Sequence, residues 1–153
     1  MKFKASLVAL AASLVMASAA YADELKFEAE LSGGAERPTP VVTEGVGDVK
    51  FESDGTSVAF ELKWDDLTTP AFAAHIHCGG PEEAGPVGVT LFAAPMDTEG
   101  EVEGAFSAPD AGNACGWEDL ADVLGAMAAG DAYVNVHTTQ HRGGEVRGQL
   151  AAD

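Results

Sequence analysis

From Leu25 onward the chain alternates apolar and polar residues with a period of two. Leu25, Phe27, Ala29 and Leu31 are separated by charged or polar neighbours, the pattern of a strand with one face buried. Val49 and Phe51 repeat it up to Asp54-Gly55, a strong two-residue hairpin signal. The return strand places Val58, Phe60, Leu62 and Trp64 on one face, with Glu61, Lys63 and Asp65 on the other. Beyond a turn-rich stretch containing Pro70, further strands are predicted at Ala73–Cys78, around Val87, Val89 and Leu91, and at Val102–Ser107. A last pair, Ala132–Thr138 and Glu145–Leu150, flanks a loop containing Gly143-Gly144. About eight short strands punctuated by turns predict an all-β antiparallel sandwich or barrel. One segment breaks the period: Leu120, Val123, Leu124 and Met127 recur at helical spacing, with Gly130 placed as a C-cap. The spacing predicts one short helix over Trp117–Ala129, covering an edge or end of the sheet.

The amino terminus follows a different rule. Lys2 and Lys4 precede an uncharged run from Ala5 to Ala20, which ends in Ala20-Tyr21-Ala22 just before Asp23 and Glu24. A basic start, a short apolar run and a small-x-small site predict a secretory signal peptide over residues 1–22, cleaved after Ala22. The run is shorter than the ~20 residues a spanning helix needs. One domain, residues 23–153, follows, and its expected setting is the periplasm or the extracellular medium.

Charge narrows the partners. The 153 residues carry 8 Lys+Arg against 25 Asp+Glu, a net charge of −17. Removing the leader takes away two lysines and no acids, which makes the mature chain more acidic still, at −19. Nucleic acids and anionic membranes draw affinity from Lys and Arg, so neither is an expected partner. Small cations or an unidentified extracellular or periplasmic partner remain. Cys78 and Cys115 are the only cysteines. An even count in an oxidising compartment predicts a disulfide, with two buried thiols as the alternative. No CxxC pair, nucleophile elbow, P-loop or dinucleotide fingerprint is present.

All four histidines fall in two short stretches: His75 and His77 in AAHIHCGG, and His137 and His141 in YVNVHTTQHRGG. Residues two apart on a strand share a face at roughly 6.5–7 Å, so His75 and His77 can meet one metal ion. Tyr133, Asn135 and His137 share a face of their own strand, opposite Val134 and Val136. If the two strands are neighbours, His137 supplies a third nitrogen, and His141 or a carboxylate a fourth. Imidazole-rich sets suit Cu or Zn. The competing reading is that these histidines only hydrogen-bond to backbone and carboxylates. Glu145 and Arg147 share a strand face with Gln149. In so acidic a chain Arg147 is expected in a structural ion pair, with ligand binding as the alternative.

Two blocks in combination, AAHIHCGGPEEAGPVGVTLF and AYVNVHTTQHRGGEVRGQL, resemble the CHRD (chordin) domain family. Leu31-Ser32-Gly33-Gly34-Ala35-Glu36 and Gly45-Val46-Gly47 support the resemblance, which spans about Leu25 to Ala151. Pro81-Glu82-Glu83-Ala84 departs from it, because Gly and Asn are more usual there. The resemblance implies an immunoglobulin-like or Cu/Zn superoxide dismutase-like Greek-key fold and no established catalytic activity. The expected function is a non-enzymatic exported binding or structural module, to which the histidine spacing, and not the resemblance, adds a candidate metal site. The alternative from another class is a superoxide dismutase-like metalloenzyme. Superoxide is an anion, and the acidic surface would repel it.

Overall fold

The computed structural model describes residues 24–153. The expected signal peptide, residues 1–22, lies outside the described residues. Nine strands form one continuous antiparallel sheet, curled into a nearly closed barrel. They are β1 (Leu25–Ser32), β2 (Val46–Ser53), β3 (Val58–Asp65), β4 (Ala71–Cys78), β5 (Val87–Ala93), β6 (Gly100–Phe106), β7 (Ala132–Thr138), β8 (Val146–Gln149) and the two-residue β9 (Ala151–Ala152). The order is β5-β4-β7-β8-β1-β2-β3-β6, with β9 on β1. A 3-10 turn, Gly33–Ala35, follows β1.

The period-two pattern becomes the two sides of the barrel wall. Phe27, Val49, Phe51, Val58, Leu62, Ile76, Val134 and Val136 point inward and are buried. Each such side chain contributes on the order of 1.5–3 kcal/mol by leaving water. Asp54-Gly55 does turn the β2–β3 hairpin, and Gly55 takes φ +85, a region open to glycine. Trp64 of β3 stacks on Phe92 of β5 with ring centroids 5.3 Å apart, which carries the core across the seam between the sheet's ends.

The helix α1 runs Leu120–Ala129 and is shorter at its start than the predicted Trp117–Ala129. Asp119 ends it there by accepting a hydrogen bond from the Asp122 N–H, a side-chain N-cap that holds its own backbone extended. Gly130 closes the other end in the left-handed region at φ 74. The four apolar residues at helical spacing are its buried face. The last long strand is also trimmed, to Val146–Gln149, although the Glu145 and Leu150 N–H groups at its ends still donate to the Val136 and Ala132 carbonyls. Among the described residues no helix is long and apolar enough to cross a membrane.

Two strands depart from simple alternation. Every residue of β7 is buried, and β4 has buried residues on both faces. Their inner faces line the barrel. Their outer faces lie beneath the Gly79–Pro86 loop, the segment around Glu36 and the turn at residues 141–144. A second, polar layer is therefore packed outside the wall, and it contains the histidines.

Candidate metal centre

β4 and β7 are direct antiparallel neighbours, with His75 opposite Asn135, His77 opposite Tyr133 and Ala73 opposite His137. This register gathers His75, His77 and His137 on one face, as the alternation requires. One ring nitrogen of each lies within 4.8 Å of the others. His77 and His137 are each only 7% exposed, and His75 is half-buried.

Hydrogen bonds settle the tautomers. His137 Nδ1 donates to the Arg142 carbonyl at 2.9 Å, which leaves its Nε2 as an acceptor. His75 Nδ1 lies 2.9 Å from that Nε2, so His75 supplies the shared hydrogen. His77 Nδ1 donates to the Gly85 carbonyl at 2.8 Å. Its Nε2 is a buried lone pair with no partner. Backbone carbonyls orienting imidazoles through the nitrogen not used for ligation is the usual support of a metal-binding histidine.

The cluster resists protons. Burial, then the nearby His137 and His77, push His75 down to about 4, against a weaker upward pull from Asp110. Burial lowers His77, with the Gly85 carbonyl opposing, and burial likewise lowers His137 against the Arg142 carbonyl. At neutral pH the three imidazoles are therefore neutral donors, the form that ligates metal. In a tetrahedral site with Zn–N of about 2.0–2.1 Å, the nitrogens sit roughly 3.4 Å apart. Here His75 Nδ1 and His137 Nε2 are closer than that, at 2.9 Å, and one nitrogen of each of the three lies within 4.8 Å of the others.

His141 is not in this group. It sits in the turn after β7, where its N–H donates to Thr138 Oγ1 at 3.1 Å. A candidate fourth ligand on the next turn of chain is thus displaced by the way the turn closes on Thr138. Asn135 is 1% exposed between the histidines, with its Oδ1 unpartnered. A second set of carboxylates, Glu61, Glu101 and Glu103, is more exposed and shares its surface with Lys63, which pairs with Glu61.

Cys78 and Cys115 form the expected disulfide, joining the end of β4 to the loop before α1. Glu145 and Arg147 do not pair. Glu145 is fully buried and accepts from Thr43 Oγ1 at 2.7 Å, Thr68 N–H and Oγ1 at 2.8 Å each, and Thr138 Oγ1 at 2.7 Å. Burial works to raise its pKa, but these donors outweigh burial and hold the carboxyl low. Among the described residues Arg147 forms no ion pair of the kind expected for it. Its guanidinium is bound by the carbonyls of Glu83 and Gly80, at 2.7 and 2.9 Å, and lies 3.5 Å from the Tyr133 ring centroid. The Gly79–Pro86 loop folds directly over Arg147 and takes its donors with carbonyls, while the buried Glu36 carboxylate acts on it only through its charge.

A family model described as the CHRD domain matches residues 27–150. The chain belongs to the CHRD domain family. Comparison with curated proteins and with solved structures gave no match. The histidine cluster, the disulfide and the polar layer all fall inside the matched CHRD region. Sequence reasoning missed two parts of this layer. One is Glu36, 3% exposed and raised to about 7 chiefly by burial, with the Arg147 charge pulling it down. The other is the Gly85 carbonyl. Glu36 is one acid among 25 and carries no local signal. A backbone oxygen carries none at all.

Proposed function

We propose that this CHRD domain is a non-enzymatic, extracellular binding module whose ligand is a copper or zinc ion held by His75, His77 and His137. The observation that carries the reading is the buried, unpartnered Nε2 of His77 in a cluster of neutral imidazole nitrogens. An orphaned buried acceptor costs about 1–3 kcal/mol, and a bound cation would remove that penalty. On binding, His75 Nδ1 gives up its hydrogen and its proton resides on the outer nitrogen, while His77 and His137 ligate through Nε2 without changing tautomer. The net charge of −17 favours the approach of cations. The same field disfavours superoxide, so catalysis on that anion is not part of the proposal. The leader read from residues 1–22 and the disulfide both suit an exported protein.

The test is metal stoichiometry. Chelator-treated protein exposed separately to Cu(II) and Zn(II), then desalted, is expected to retain one ion per chain by elemental analysis. His77→Ala and His137→Ala are expected to lose it. Sub-stoichiometric metal in the wild type, or unchanged retention in both folded variants, ends this reading.

A further inference from the structure

We infer that Arg147 is the positioning residue of this site, pinning the Gly79–Pro86 loop so that the Gly85 carbonyl holds His77 with Nδ1 protonated and Nε2 free. The affinity consequence rests on the metal-binding reading above, whereas the tautomer consequence does not.

The contacts form a closed circuit. Arg147 is 1% exposed on β8. Nη1 donates to the Glu83 carbonyl at 2.7 Å, and Nη2 to the Gly80 carbonyl at 2.9 Å. The same guanidinium lies on the Tyr133 ring. Tyr133 in turn stacks on His77, with centroids 4.9 Å apart and planes within 8°. The Tyr133 hydroxyl accepts from the Gly85 N–H at 3.0 Å and lies 3.3 Å from the Gly85 carbonyl oxygen, to which it donates. That oxygen is the one that receives the His77 Nδ1 hydrogen. Loop, tyrosine and histidine are therefore held by one cation.

The choice of residue supports the role. Burying a guanidinium is costly unless its donors are used; here carbonyls take them, and among the described residues the Glu36 carboxylate helps through its charge without forming a salt bridge. What it offers is a rigid fork that spans two carbonyls and a flat face that stacks on Tyr133. Lysine supplies the same charge at a single point and can do neither. The loop has no slack either, because a Cβ at Gly85 would lie 1.5 Å from the Cys78 carbonyl oxygen. Gly85 must return tightly against the end of β4, one residue past His77.

Arg147→Lys in the intact protein separates geometry from charge. Two-bond ¹⁵N–¹H correlation of the His77 ring reads the tautomer in the metal-free protein, and Zn(II) competition with a chromophoric chelator reads affinity. The wild type is expected as the pure Nδ1–H form. In Arg147→Lys the expected result is a mixed tautomer and a Zn(II) Kd weakened about 10–100-fold, the range for residues that orient a ligand from behind. Tyr133→Phe, which keeps the ring and removes the hydroxyl, should move both readouts the same way by less. Folded Arg147→Lys with the wild-type tautomer and a Kd within about two-fold overturns the inference. If Arg147→Lys does not fold, Tyr133→Phe decides by the same two readouts. A wild type that binds no metal refutes the metal reading, and the tautomer measurement still decides the clamp.

Discussion

The Cys78–Cys115 bridge closes a loop of 37 positions that contains β5, β6 and the approach to α1. Replacing both cysteines by alanine leaves the ladders that hold these strands: β5 still pairs with β4, and β6 with β3. Neither cysteine is fully buried, so little packing is lost. The cost is therefore dominated by freedom returned to the unfolded chain. For a loop of this length the chain-entropy relation gives about 4 kcal/mol at room temperature. That is a large share of the 5–15 kcal/mol typical of a domain. With a urea m-value of about 2 kcal/mol/M, the unfolding midpoint should fall by roughly 2 M with the slope little changed. The assay is urea unfolding of the oxidised wild type and the double variant, followed by tryptophan fluorescence. A fall of less than about 0.5 M at unchanged slope would refute the entropic argument and place the bridge's value elsewhere.

The polar layer makes two pH-dependent predictions of opposite sign. All three clustered histidines have folded pKa values below the ordinary 6.5, with His75 near 4. The unfolded chain therefore binds more protons between about pH 6.5 and 4, and the histidines make the metal-free protein less stable as pH falls through that window. Thermal melts at pH 7 and pH 5 should show this loss, and His75→Gln should reduce it; an identical slope in the variant counts against the assignment. Glu36 acts the other way. Its folded pKa of about 7 exceeds the ordinary carboxyl value, so its ionisation opposes folding as pH rises from about 4.5 through 7. Glu36→Gln should raise the melting temperature relative to wild type at pH 8, with the gain shrinking toward pH 5; a pH-independent difference would contradict burial as the cause.

The sequence by itself determined the wall of the barrel. A period of two assigns side chains to faces through backbone geometry alone, so His75 and His77 opposite Ile76, and His137 opposite Val136, were legible without any tertiary contact. The helix, its Gly130 cap, the disulfide and the family followed from equally local or compositional signals. Only the tertiary structure decided what lies over the outer face. Alternation says which way a side chain points and nothing about what covers it. A polar face that would ordinarily meet water is here roofed by the Gly79–Pro86 loop, and this makes the histidines neutral, buried and proton-poor. The loop also supplies the carbonyls that take Arg147 in place of the expected ion pair, while burial raises Glu36 and the turn closing on Thr138 leaves His141 outside the cluster. Those outcomes depend on contacts between residues distant in the chain, such as Gly80 and Arg147, or Tyr133 and Gly85, to which no local pattern refers.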